Sequence, residues 1–195
     1  MKSRVDRMGQ ALMVIGILPL VYAASIWVRA EAYQAYQQRA FDQTLAEMRE
    51  GDAPGRKPET NAVIGRLEIP SVDLSVMVLE GAGESELQLG AGHIPGTALP
   101  GETGNIGIAG HRDTFFRPLR KIQPGDAITL TTLAGTVRYE VETTWITRPQ
   151  DTAVLESDSE PVLTLVTCHP FGYVGPAPDR FIVRARELGA VSGEY

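Results

Sequence analysis

The sequence predicts an all-β body of about eight short strands, closed as a small barrel or packed as a sandwich, behind one apolar N-terminal helix. Two features of the body lead there. From residue 63 onward, β-branched and alternating runs recur between Gly/Pro turns. The chain also holds 20 Gly and 13 Pro in 195 residues, which favours many short strands over a few long helices. The third observation is residues 11–28, which run 18 positions without a charge.

That apolar segment is about 27 Å long as a helix at about 1.5 Å per residue, close to the hydrocarbon thickness of a bilayer. Lys2, Arg4 and Arg7 precede it against Asp6. The positive-inside rule then leaves residues 1–10 in the cytoplasm and exports the rest, giving a single-pass protein of the cell membrane with an extracytoplasmic body. Tyr22 and Trp27 suit an outer end near the interface. The rival reading is a cleaved signal peptide, with Ala30-Glu31-Ala32 as a small-x-small site. The apolar run exceeds the usual signal core of about 7–15 residues, which favours retention.

Without the first ten residues the chain carries 15 Lys+Arg against 23 Asp+Glu, a net charge of −8. No basic groove is visible, and nucleic-acid binding is excluded on that ground. Residues 29–50, rich in Ala, Gln and Glu, read as a helical stalk, more simply a spacer than a partner helix. GDAPGRKPET, residues 51–60, has the composition of a linker. The expected organisation is a cytoplasmic N-terminus (1–10), a transmembrane anchor (11–28), stalk and linker (29–62), a β domain (63–188) and a tail (189–195).

The strands are read in order. VIGRLEI (63–69) and DLSVMVL (73–79) flank Pro70-Ser71-Val72. NIGIAG (105–110) follows a turn-rich stretch. DAITLTTL (126–133) and TVRYEVET (136–143) enclose Ala134-Gly135 as a hairpin. TWITR (144–148), VLTLVTC (162–168) and RFIVRAR (180–186) complete the set. A short helix is expected over 114–121, with Asp113 or Thr114 as its N-cap.

The single cysteine, Cys168, closes the run TLVTC and has no internal partner for a disulfide. It is either a small core residue or a nucleophile at a rim. Three histidines are candidate partners. His169 is adjacent on the strand and so points to the opposite face. His93 lies in a Gly/Pro-rich loop whose geometry sequence does not define. His111 ends NIGIAGH, where Asn105, Gly107 and Ala109 share its face and leave it nearly bare, with room for a substrate backbone. His111 is therefore the best-placed acid or base. In RFIVRAR the Phe-Val-Ala face is apolar, which sets Arg180 on a polar or rim-facing side. There it is a solvated charge, or, if Cys168 is reactive, a cation able to hold a developing oxyanion. Three scattered histidines and one cysteine offer no metal-ligand spacing, so neither metal nor cofactor is expected.

These blocks together resemble the sortases, membrane-anchored cysteine transpeptidases. The resemblance rests on IGRLEIP and LSVMVLEG, then GHIPGTALPGETGNIGIAGHRDTFF, LRKIQPGDAI and DRFIVRA, and above all on Thr164-Leu165-Val166-Thr167-Cys168. That last element matches TLxTC at each defined position. The GHRDTFF style is most similar to class D.

The resemblance implies a closed eight-stranded sortase-type β-barrel with short helices. It implies Cys168 as the nucleophile on an LPxTG-like sorting motif and His111 as proton donor to the departing amine and acceptor from the incoming one. Arg180 would steady substrate and oxyanion, and Thr167 would place its backbone or hydroxyl near the scissile carbonyl. Such sortases have no obvious carboxylate third member, and Asp113 is read as a cap. The implied partners are secreted proteins with a C-terminal sorting motif, an amine acceptor, and the membrane through residues 11–28. Residues 51–62 lack the aromatic lid of pilin-polymerising sortases. Residues 149–161 and 169–179 are expected to shape specificity. The alternatives are a noncatalytic barrel with an inert Cys168, a processing protease that only hydrolyses, and an L,D-transpeptidase, whose cysteine motif differs from Val-Thr-Cys.

Overall fold

The computed structural model describes residues 2–48, 62–157 and 159–190. The expected linker (51–60), the stretch 51–62 read as lacking a lid except for its last residue, and the tail beyond 190 lie outside the described residues. The barrel is built of β1 (Val63–Ile69), β2 (Leu74–Glu80), β3 (Ala91–His93), β4 (Asn105–Ala109), β5 (Ala127–Thr132), β6 (Gly135–Thr147), β7 (Val162–His169) and β8 (Asp179–Ala190). Its closed order is β1-β2-β3-β4-β7-β8-β6-β5, with β1 paired to β5. The β2–β3 and β4–β7 pairs are parallel and the other pairs antiparallel. Between the two forms the sequence left open, barrel and sandwich, the structure is a barrel.

Inward-facing positions alternate with outward ones, as a pleated strand requires. Ile106 and Ile108 of β4, Leu163 and Leu165 of β7, and Val183 and Ala185 of β8 meet in one core. Each fully buried Leu or Ile contributes about 1.5–3 kcal/mol relative to exposure. Tyr139 of β6 is wholly buried among them. Burial first, and Glu187 second, hold its phenol well above the ordinary tyrosine range.

Eight strands form, but they are not the eight read from sequence. TVRYEVET and TWITR are one strand, β6; a register shift against β8 between Val141 and Thr143 bends it without ending it. The strand that sequence reading omitted is β3, three residues centred on a glycine. A Cβ at Gly92 would stand 2.2 Å from the Gly81 carbonyl oxygen, so the close approach of these two backbones needs glycine there. The last strand also runs to Ala190, past the expected boundary at 188.

The helix expected over 114–121 is a short 3₁₀ turn, Arg117–Lys121, and neither Asp113 nor Thr114 caps it. Pro118 sits in its first turn, where a missing N–H costs nothing. The turn is held mainly by burial of Phe116, Leu119 and Ile122. Sequence reading also omitted α2 (Glu84–Leu89), a single helical turn and a half between β2 and β3.

The N-terminal region is one helix, α1 (Lys2–Met48), which joins the expected apolar segment to the stalk. Among the described residues no helix is long and apolar enough to cross a membrane. The described apolar side chains between Leu12 and Tyr22 are exposed.

The stalk departs from the spacer reading because it packs on the barrel. Phe41 is buried, and Gln34 accepts the Met77 N–H of β2 while donating to the Leu89 carbonyl of α2. Arg66 of β1 pairs with Asp42 at 2.8 Å. The partner of this helix is the barrel itself.

Replacing Leu165 with Ala, in the strand that carries the cysteine, is expected to cost about 2–5 kcal/mol of stability. A denaturant titration of the folded chain measures it. A loss well under 1 kcal/mol would contradict the packing described for β7.

Candidate active site

The site grows out of the β4–β7–β8 neighbourhood. The parallel β4–β7 register pairs Ala109 with Val166. Beyond the end of β4 the pairing continues by one residue: Gly110 donates to the Val166 carbonyl at 3.1 Å, and the Thr167 hydroxyl donates to the Gly110 carbonyl at 2.7 Å. The next residue in each chain is His111 and Cys168. On the other side of β7, Cys168 is directly opposite Arg180 of β8. Histidine, cysteine and arginine therefore lie in that order across one end of three neighbouring strands, each half-buried.

Pleat parity separates their faces. Leu163 and Leu165 enter the core, so Thr164, Val166 and Cys168 face outward. Val183 and Ala185 likewise enter the core, which turns Arg180 outward beside the thiol. Thr167 faces inward, 2% exposed, with its hydroxyl proton committed to Gly110. The hydroxyl contact expected from Thr167 is therefore taken up within the protein, and its backbone lies in the β7–β8 ladder opposite Phe181. The Arg180 Nη1 donates to the carbonyls of Asp179 at 2.9 Å and Ala177 at 3.5 Å, so its guanidinium braces the chain between β7 and β8.

His111 sits at the start of a tight turn in which its carbonyl accepts the Phe116 N–H at 3.0 Å. The chain can turn there because residue 110 is glycine: a Cβ on it would lie 2.6 Å from the Phe116 ring. Glu84 of α2 approaches the His111 Nε2 at 3.9 Å, but it is 73% exposed and such a pair contributes little. A cavity of about 790 Å³ opens beside the imidazole, walled by Gln34 and Gln38 of α1, Glu84 and Leu87 of α2, and Thr114 and Phe115.

The expectation of a bare substrate face along β4 is corrected. Asn105 is buried, takes a hydrogen bond from Thr164 at 2.7 Å, and donates to the Val154 and Glu156 carbonyls. A Cβ at Gly107 would press on Leu155 and Thr97 at 3.0 Å. The small residues on this face admit two connecting segments of the protein, so the open region begins only where β4 ends.

The other two histidines are occupied elsewhere. His93 is 2% exposed, with Nδ1 2.8 Å from Glu80 Oε2 and Nε2 3.0 Å from both the Ala98 carbonyl and the Thr97 hydroxyl. It braces β3 against β2 and the following loop. His169 faces inward with its ring stacked on Phe181 at 6.4 Å and edge-on to Phe171 at 6.0 Å. Its Nδ1 finds no hydrogen-bond partner among the described residues. Among the described residues no group of His, Cys, Asp and Glu could hold a metal ion.

Two features of the site were not legible in sequence. The docked face of α1 reaches it from more than seventy positions away, and nothing local marks that contact. Arg112, beside His111, is buried and read as an ordinary cation until its partners are seen.

Residues 67–188 match the family model of the sortase domain. The chain is 38% identical over 133 residues to Sortase D of Bacillus subtilis, spanning 68% of this chain and 67% of that one. It is 32% identical over 114 residues to Sortase A of Listeria monocytogenes, spanning 56% and 51%. Among solved structures it resembles a Clostridium perfringens Sortase D5 transpeptidase, with a TM-score of 0.66 and 30% identity over 83% of this chain and 99% of that one. A lid mutant of Sortase A from Corynebacterium diphtheriae gives a TM-score of 0.62 at 27% identity, covering 78% and 95%. With a family match over most of the chain, a closed barrel and a cysteine flanked by histidine and arginine, the chain belongs to the sortase family of cysteine transpeptidases.

Proposed function

We propose that this sortase is anchored in the cell membrane by residues 11–28, with its barrel outside, and that it cleaves an LPxTG-like sorting motif and passes the acyl part to an amine. The observation that carries the chemical half is the register placing His111, Cys168 and Arg180 across neighbouring strands. The anchoring half rests on the 18-residue uncharged run within α1, its basic flank and the exposed apolar side chains there.

The steps balance as follows. The Cys168 thiolate attacks the scissile carbonyl, forming a carbon–sulfur bond and a tetrahedral oxyanion on the side of Arg180, whose charge offsets it. His111 gives a proton to the departing amine as the peptide bond breaks, leaving a thioester. An incoming amine attacks that thioester, His111 takes its proton, and the thiolate is released as the new amide forms. Thr167 positions the nucleophile that follows it, with its hydroxyl engaged on Gly110. Secreted proteins with a C-terminal sorting motif are the donors, and a cell-surface amine is the acceptor.

Cys168→Ala should abolish turnover while leaving cooperative unfolding intact, because a half-buried thiol leaves little cavity. Loss of about 10²–10⁴-fold is expected for His111→Ala, in line with removal of a general acid–base. Arg180→Ala should lower kcat by about 10²–10³-fold as an oxyanion contact is removed. If Arg180→Ala retained wild-type kcat, that role would be withdrawn.

For His93→Ala the expected loss is of stability and not of chemistry. It removes a partner from the half-buried Glu80 carboxylate and the buried ring that joins β3 to β2, at a cost of about 1–3 kcal/mol. Its unfolding midpoint should fall while turnover at low temperature stays within about threefold of wild type. A variant that is stable and inactive would move the acid–base role to His93.

The function itself is tested by mass spectrometry of digests of LPxTG-like peptides with and without added amines. An adduct on Cys168 matching the N-terminal half of the peptide, followed by an amide product, is expected. Cleavage that amines never divert would make the protein a processing hydrolase, and absence of both cleavage and adduct would leave an inert barrel. Detergent-dependent solubility of the full chain, lost when residues 1–28 are removed, is the expected sign of the anchor.

A further inference from the structure

Arg112 has no part in the chemistry above, yet its surroundings are unusually complete. It is 5% exposed. Its Nη1 donates to the Pro170 carbonyl at 3.1 Å, and its Nη2 donates to the carbonyls of Tyr173 at 2.7 Å and Gly175 at 3.0 Å. Its Nε lies 3.3 Å from Asp113 Oδ2, and its guanidinium carbon lies 5.9 Å from the centre of the Tyr173 ring. All three carbonyls belong to the connection between β7 and β8, residues 170–178, which begins two residues after Cys168 and ends two before Arg180.

Apart from Arg112, this connection is held near its two ends, by Phe171 packed on the core and against Phe181 and by the Arg180 hydrogen bond to the Ala177 carbonyl. Residues 172–176 are exposed, with Val174 95% exposed. The Tyr173 N–H to the Pro170 carbonyl, at 3.2 Å, is a turn bond inside it. A guanidinium presents its N–H groups in a rigid planar fork, so three carbonyls bound at once define the path of the backbone between them. Burying a cation is costly unless it is paired and hydrogen-bonded, and here the carbonyl dipoles and Asp113 meet that requirement. The carbonyls would be satisfied by water if the loop stood free. What Arg112 adds is therefore one fixed conformation of a segment that water alone would leave variable.

We propose that Arg112 is a positioning residue for substrate selection. It locks the β7–β8 connection as a wall of the acyl-substrate groove beside Cys168 and Arg180, and ties that wall to the turn bearing His111. The inference rests on the transpeptidase reading of the site. Arg112 touches the loop and not the reacting atoms, so its effect belongs in recognition of the peptide.

The test uses the full chain with Arg112→Met, which keeps the apolar stem, and Arg112→Lys, which keeps the charge but not the planar fork. Hydrogen exchange is followed over residues 170–178, kcat and KM are measured over a panel of sorting peptides differing at one position, and Cys168 is alkylated with iodoacetamide. Both variants should exchange residues 170–178 at least about tenfold faster, with the β7 and β8 amides unchanged. KM should rise about tenfold and the spread of kcat/KM across the panel should narrow, while kcat and the alkylation rate stay within about threefold.

Unchanged exchange and unchanged KM would overturn the inference. So would a kcat or alkylation rate that fell tenfold at constant KM, since Arg112 would then act on the chemistry. If Arg112→Met does not fold, Arg112→Lys decides the same question. A wild-type chain that neither cleaves any peptide nor forms an adduct overturns the transpeptidase reading and this inference with it. An active wild type with unaffected variants overturns the inference alone.

Discussion

The parallel pairing of β4 with β7 is the contact on which the site depends. It carries the Gly110 amide onto the Val166 carbonyl and the Thr167 hydroxyl onto the Gly110 carbonyl, and so sets where each strand ends relative to the other. A shift of one residue in this register would turn every outward side chain of β7 inward, cysteine included. Leu163 and Leu165 oppose that shift because both are wholly buried. The chemistry at the strand ends is thus held in place by apolar packing several residues away.

From that pairing the rest of the site follows by adjacency. The antiparallel β7–β8 pair sets Arg180 against Cys168, and the return of the chain at Gly110, closed over the Phe116 ring, sets His111 on the other flank. The two segments that leave the strands at this end are then fastened to one another by Arg112. With Cys168 and Arg180 on paired strands and His111 on the turn that follows β4, the roles proposed for them would need little reorganisation when a substrate arrives.

The docked portion of α1 changes how the N-terminal region is understood. A helix that only carried the barrel away from a membrane would need no specific contact with it. Here Gln34 satisfies a β2 amide and an α2 carbonyl together, Phe41 is buried, and the same helix walls the cavity beside His111. The N-terminal helix and the barrel are one packed unit in the region of the site.

By itself the sequence determined the all-β body, six of its strands closely, and the outward faces of Cys168 and Arg180, and it singled out His111 as a candidate beside them. Those features are local: alternation within a run tells inward from outward, a lone thiol at a strand end is conspicuous, and TLxTC is a contiguous motif. The tertiary structure decided what depends on partners distant in the chain. A three-residue strand at Gly92 exists because β2 and β4 accept it on either side, and β6 stays one strand because β8 pairs across its bend. The small residues of β4 meet packed segments where a substrate had been expected, His93 is consumed by Glu80, and Arg112 becomes a brace only when the β7–β8 connection comes beside it. Periodicity reports which face a residue occupies, and only closure of the barrel decides what stands opposite that face.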